Sequence, residues 1–155
     1  MKEYKTVLKE ITHRFSEAAI GWGLGGSGMM YLHGIDIYPH DIDLFVLPQD
    51  FDTALHVLSK SGSFNEGGPT GIFASNRYAH GAFMGLSIDL IAGFRIISSD
   101  RNVTYHFDPS LIVKIALDDA HIPCCLVKDW IILYEAMGKQ SKADLIRNAV
   151  SDKSE

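Results

Sequence analysis

The chain has 155 residues, 46% of them hydrophobic and 21% charged, enough for one compact domain that buries a sizeable core without covalent staples. A formal net charge of -5 argues against a nonspecific duplex-DNA binder, which needs a basic face, and no apolar run approaches the roughly 18 residues of a membrane span. The two cysteines, Cys124 and Cys125, are adjacent. They give neither a disulfide framework nor a zinc motif and read as two small apolar residues of a strand. The N-terminus, MKEYKTVLKEITHRF, is charged and lacks the apolar core of a signal peptide. Together these features predict a cytoplasmic protein.

Residues 3 to 19 predict an amphipathic helix, with Tyr4, Val7, Leu8, Ile11, Phe15, Ala18 and Ala19 at helical spacing. IGWGL (20–24) reads as a buried strand. GGSGMMYLHG (25–34) reads as a glycine turn and a short helix ending at Gly34. DIDLFVL (41–47) alternates and is a strand. PQDFDTALHVLSKSG (48–62) is a second amphipathic helix, with Pro48 near its start, Gly62 past its end, and Phe51, Ala54, Leu55 and Leu58 inside. Residues 62–81 are rich in Gly, Ser and Asn and contain Pro69; they predict a loop with one short strand around Ile72 to Ala74. GAFMGLSIDLIAGF (81–94) is one or two strands, and residues 95–107 are loop plus a strand. LIVKIALDDAHIPCCLV (111–127) reads as two short strands about a turn at Asp118 to His121, a helix over its first half being the alternative. KDWIILYEAMG (128–138) is a helix ending at Gly138, KQSKADLIRNAV (139–150) a last helix, and SDKSE a solvated tail. The expected architecture is an α/β or α+β domain, a mixed β-sheet flanked by helices with helices at the C-terminal end.

The chemistry concentrates in PHDIDLFVLP (39–48). Residues i and i+2 of a strand share a face, so Asp41 and Asp43 lie on one side and Ile42, Leu44 and Val46 on the other. Carboxylates placed in an apolar strand are costly unless paired. Either basic side chains pair with these acids or they hold a cation. At roughly 7 Å between Cα atoms, two such carboxylates can clamp Mg²⁺, above all with a third acid opposite. Asp89 in SIDLI alternates with Ile88 and Leu90 and supplies that third acid if its strand lies beside the first. The turn at Gly25, Gly26 and Ser27 stands between a strand and a helix, where backbone N–H groups and a hydroxyl can cradle a phosphate. Gly28 reads as a close helix contact. His33, His80, His106 and His121 lack metal-ligand spacing and read as surface or core histidines; His40, just before the first acid, reads as a surface histidine at the strand start, contact with a phosphate or a metal being the alternative. Trp130 and Tyr134, at i and i+4, read as core packing rather than a stacking platform.

The ordered set GLGGSGMMYLHG, PHDIDLFV and SIDLI resembles the polymerase-β-type nucleotidyltransferase superfamily, whose pattern is a Gly-Ser turn, an acid-x-acid strand, and a third acid on a later strand. Within it the chain is similar to small stand-alone bacterial and archaeal nucleotidyltransferases, in the size class of the lincosamide nucleotidyltransferases. Thirteen residues separate Ser27 from Asp41, at the long end of the family's range. The tail, HIPCCLVKDWIILYEAMGKQSKADLI, is similar as well, although CLVKD stands where such proteins more often carry a serine and an acid. Residues 62–81 and 95–107 match nothing in the pattern.

The resemblance implies one nucleotidyltransferase domain over residues 1–155, with a catalytic core at about 18–95 and a C-terminal helical segment at about 126–152. It implies Mg²⁺, or Mn²⁺ in its place, held by Asp41, Asp43 and Asp89, with Asp89 also accepting the proton of an attacking hydroxyl. Gly25, Gly26 and Ser27 would hold the β- and γ-phosphates of an NTP, ATP above the others. Lys139 and Lys142 either reach the triphosphate or form a solvated helix face; Lys128 and Arg77 are weaker candidates. The implied reaction transfers an NMP to an acceptor hydroxyl with release of pyrophosphate, the acceptor being unknown. A non-catalytic nucleotide-binding or antitoxin-like regulator on the same fold is the alternative, and a lincosamide- or aminoglycoside-modifying enzyme a further one. A homodimer across the cleft or a toxin-type partner fits the same picture.

Overall fold

The computed structural model describes residues 2–67 and 71–154, the last three as backbone alone. Helix α1 (Lys2–Glu17) leads to strand β1 (Trp22–Gly25) and the short helix α2 (Gly26–Leu32). Strand β2 (Asp41–Val46) runs through a 3-10 turn, Pro48–Asp50, into α3 (Phe51–Ser59). Then come β3 (Gly62–Glu66), β4 (Arg77–Phe83), β5 (Leu86–Ala92) and the short pair β6 (Arg95–Ile97) and β7 (Asn102–Thr104). The chain ends with β8 (Val113–Leu117), β9 (Ala120–Cys124), α4 (Val127–Ala136) and α5 (Gln140–Ser154). Among the described residues seven strands form one sheet, in the order β3-β4-β5-β2-β1-β9-β8, and β6 pairs with β7 beside it. The sheet is mixed, as expected: β2–β5 and β1–β9 are parallel and the other pairs antiparallel.

The alternation of β2 and β5 decides which layer goes where. Ile42, Leu44, Ile88 and Leu90 are fully buried on one face, with α1 and α3 packed against it. Arg14 of α1 lies over the Phe83 ring, and Arg77 of β4 lies over Phe51 of α3. α1 buries the stripe Tyr4, Val7, Leu8, Ile11 and Phe15, and Phe15 meets Trp22 edge-on at 5.6 Å. On the other face Phe45 meets Trp130 of α4 at 5.5 Å. Each such aromatic contributes about 1.5–3 kcal/mol by leaving water. Tyr4 also donates its hydroxyl to the Asp41 carbonyl at 2.8 Å, bracing the start of β2 from beneath.

Three expectations change. The polar stretch after Gly62 is not loop: Gly62–Glu66 is the edge strand β3, paired with β4. Hairpin pairing overrides the poor strand propensity of Gly, Ser and Asn there. Ile72 to Ala74 belongs to no strand of the main sheet. It runs beside residues 93–97 instead, through a Phe73–Ile96 bridge and bonds from Ile97 N to Ile72 O (2.6 Å) and Ala74 N to Arg95 O (2.9 Å). Pro69 lies outside the described residues. Residues 81–94 hold two strands, the larger of the two numbers expected, joined at Met84 and Gly85, whose φ of 52° and 82° make the turn that suits a two-residue hairpin. The last helix continues through Ser154 instead of ending before SDKSE.

Gly25 ends β1 under two rings: a Cβ there would strike Trp130 and Phe45. Gly25→Ala is therefore expected to lower the unfolding free energy by about 1–3 kcal/mol through overpacking, measured by denaturant unfolding. An unchanged midpoint would mean the rings move aside freely.

Candidate functional site

Strand pairing lines up one row of residues across four strands. Asp43 of β2 stands directly opposite Asp89 of β5, Asp89 opposite His80 of β4, and Asp43 opposite Gly25 of β1. Asp41 sits two residues before Asp43 on the same face. Each of Asp41, Asp43 and Asp89 brings a carboxylate oxygen to within 4.8 Å of the others. Gly26 follows with a φ of +61°, and a Cβ at that position would overlap Asp43 Oδ2. Glycine thus serves both the left-handed turn and the space the carboxylate occupies.

The three acids form the floor of a cleft of about 300 Å³. Ser27, in the first turn of α2, lines it. Trp130 and Tyr134 of α4 wall it, and Lys139 and Lys142 close it from the start of α5. Lys142 Nζ lies 5.4 Å from the centre of the Tyr134 ring. Burial pushes the Lys142 pKa down, with Lys139 adding to the effect and Asp41 and Asp43 opposing it. Burial also holds the Asp43 carboxyl well above its usual range, reinforced by the charges of Asp41 and Asp89 and by a hydrogen bond with Asp89; Lys139 acts the other way. Both the burial and the neighbouring acids favour the neutral form of the Asp43 carboxyl.

Of the residues singled out in the sequence, Asp41, Asp43, Asp89, Ser27, Lys139 and Lys142 meet in this cleft. Gly25 and Gly26 shape it from behind. Gly28 is a packing residue, since a Cβ there would strike the Tyr4 hydroxyl and Leu24. Arg77 is elsewhere: it bonds Asp52 at 2.8 Å and Glu66 at 2.7 Å on the opposite face. Lys128 is exposed outside the cleft lining. Trp130 and Tyr134 are core residues, each 2% exposed, that also present surface to the cleft.

Two residues went unrecognised. Tyr78 donates its hydroxyl to Asp89 Oδ1 at 2.7 Å, and His80 Nδ1 lies 2.6 Å from the same oxygen. The signal was present in the Met84-Gly85 turn. A two-residue hairpin there pairs Phe83 with Leu86 and so sets His80 against Asp89. The segment without family likeness supplies another wall. Phe73 and Ser75 line the cleft, Phe73 stacked on Phe94 at 6.0 Å. The Ser75 hydroxyl is buried without a hydrogen-bond partner among the described residues.

No protein-family model and no curated protein matches the sequence. Solved structures do match the fold. A provisionally assigned nucleotidyltransferase from Thermotoga maritima superposes with a TM-score of 0.78 at 19% identity, covering 98% of this chain and 95% of that one. The lincosamide antibiotic adenylyltransferase LnuA, solved with lincomycin, gives 0.61 at 14% identity over 96% and 97%. ANT(2")-Ia, solved with adenylyl-2"-tobramycin, gives 0.64 at 9% identity over 97% and 91%. At these identities the likeness is one of architecture, but it spans nearly the whole of each chain. The mixed sheet, with its glycine turn and its acids on neighbouring parallel strands, has the fold of the small nucleotidyltransferases.

Proposed function

We propose that this chain is a divalent-cation-dependent nucleotidyltransferase that moves an NMP from an NTP to an acceptor hydroxyl, releasing pyrophosphate. The observation that carries the reading is the meeting of Asp41, Asp43 and Asp89 in one cleft with Ser27, Lys139 and Lys142. Three carboxylates form a hard-oxygen donor set that suits Mg²⁺ or Mn²⁺. Burial first, and the charges of Asp41 and Asp89 after it, raise the Asp43 pKa, and a cation among the three acids would offset that charge. Asp41, Asp43 and Asp89 would hold the cation, which when bound neutralises phosphate charge and acidifies a nearby hydroxyl.

The chain's own groups divide the remaining work. The Ser27 hydroxyl and the backbone N–H groups at Gly25, Gly26 and Ser27 donate to the β- and γ-phosphates, and Lys139 and Lys142 balance their charge. The acceptor oxygen attacks the α-phosphorus, the bond from that phosphorus to the bridging oxygen breaks, and pyrophosphate leaves. Asp89 takes the acceptor's proton. Positioning and charge neutralisation supply most of the rate. In this reading residues 18–95 carry the acids and the glycine turn, and the segment 126–152 brings the lysines. The adenylyl chemistry named for two structural neighbours supports ATP as donor. The same neighbours favour, as a second reading of the acceptor, an antibiotic of the lincosamide or aminoglycoside type. Among the described residues no helix is long and apolar enough to cross a membrane.

Calorimetric titration of ATP, GTP, CTP and UTP, with Mg²⁺ and then with EDTA, tests the reading. Binding is expected only with Mg²⁺ and is expected to vanish in Asp41→Asn and Asp43→Asn; transfer to any acceptor found should fall by about 100-fold or more in Asp43→Asn. Wild-type binding and turnover in Asp43→Asn would sink the assignment and favour a non-catalytic role. Replacing Lys139 and Lys142 together by Ala should weaken ATP binding by about tenfold or more and leave AMP binding less affected. Equal losses for both nucleotides would remove the lysines from the phosphates.

Asp43 also makes stability depend on pH. Its carboxyl binds a proton more tightly in the folded chain than in the unfolded one, whose pKa is near 3.8. The folded state therefore loses stability as pH rises from about 4 through the raised value. In EDTA the thermal midpoint should fall across that window, less steeply in Asp43→Asn, and Mg²⁺ should restore it near neutrality. Identical profiles for both proteins would show that Asp43 is not the group responsible.

A further inference from the structure

We propose that Tyr78 and His80 are positioning residues that fix the Asp89 carboxylate by saturating its Oδ1, leaving Oδ2 as the oxygen it offers to a cation or to an incoming hydroxyl. The inference rests on the reading of Asp41, Asp43 and Asp89 as a cation site. Both partners come from β4, two residues apart on one face, and both converge on a single atom: the Tyr78 hydroxyl at 2.7 Å and His80 Nδ1 at 2.6 Å. The hairpin register enforces the meeting, because His80 is the direct partner of Asp89. The carboxylates of Asp41 and Asp43 receive no hydroxyl or imidazole donor among the described residues. The three acids are therefore not equivalent. Asp89 has one oxygen committed to two donors of β4, whereas neither Asp41 nor Asp43 has such a pair.

The His80 contact adds little to stability. The His80 side chain is 56% exposed, and an exposed ion pair contributes about 0–1 kcal/mol. Hydrogen-bond donors behind a ligating carboxylate instead fix its rotation and hold the outer oxygen where a cation needs it. The requirement on residue 80 is an N–H at the Nδ1 position. Asparagine carries its amide nitrogen at the same place along the side chain and should substitute for histidine, while alanine should not.

The test uses Mn²⁺ alone, titrated into the full-length chain and followed by the paramagnetic resonance of free Mn²⁺. Wild type should bind, and Tyr78→Phe and His80→Ala should each bind about 10-fold to 100-fold more weakly, with thermal midpoints close to wild type. His80→Asn should bind as wild type does. Once an acceptor is known, the same two weakened variants should lose kcat with little change in the KM for nucleotide. Tyr78→Phe and His80→Ala that bind Mn²⁺ as tightly as wild type, while Asp89→Asn does not, would overturn the positioning role and leave the cation site standing. Equal losses in His80→Ala and His80→Asn would also overturn it, because donation from the Nδ1 position would then not be the property that matters. Failure of wild type to bind Mn²⁺ would overturn the cation site and this inference with it.

Discussion

The parallel pairing of β2 with β5 is the constraint on which the rest of the molecule depends. It sets Asp43 against Asp89, and through the β4–β5 hairpin it sets His80 and Tyr78 behind Asp89. A slip of one residue would turn every side chain of a strand to the opposite face. Here that would put Ile88 and Leu90 into the cleft and Asp89 into the core. Ile42, Leu44, Ile88 and Leu90, all fully buried, oppose the slip. Burial of each is worth about 1.5–3 kcal/mol, and burial of an unpaired carboxylate would cost more. The apolar face that holds α1 and α3 is thus also what holds the acids in register.

Holding them there is unfavourable in itself. Two ionised carboxylates at 4–5 Å repel by on the order of 3–4 kcal/mol at the effective dielectric near a protein surface. The chain relieves this in two ways: two lysines at the head of α5, and donors from Tyr78 and His80 on Asp89. Burial depresses the Lys142 pKa even as the acids work to keep it charged. In the proposed reading, a cation and a polyphosphate entering together would each supply the charge the other lacks.

The aromatic wall plays a different part. Phe45, Phe94, Tyr105 and Trp130 pack on one another at ring distances of 5.5 to 6.5 Å, and this cluster presses α4 against the sheet over Gly25. Without a side chain at Gly25, α4 comes close enough to bring Tyr134, Lys139 and Lys142 over the acids. The segment 72–76, paired beside 93–97, adds Phe73 and Ser75 from the other side. It carries no likeness to the family pattern, and it contributes chain-specific surface to the cleft.

Residue pattern was enough to show the helices, the mixed sheet, the two faces of DIDLFV and of SIDLI, and the glycine turn. Each of these is a local pattern of period 2 or 3.6, or a turn demanded by backbone sterics, and survives without knowledge of any partner. It also contained the His80–Asp89 register, through the Met84-Gly85 turn, in a form that becomes readable only once the hairpin is recognised. Only the tertiary structure decided that Asp43 faces Asp89, because parallel neighbours are joined by a long crossover whose length says nothing about register. It alone made β3 of the unpromising GSFNE, took Arg77 to Asp52 and Glu66, and carried Lys139 and Lys142 to acids far back in the chain. Those outcomes rest on long-range pairing and packing, which local propensity does not encode.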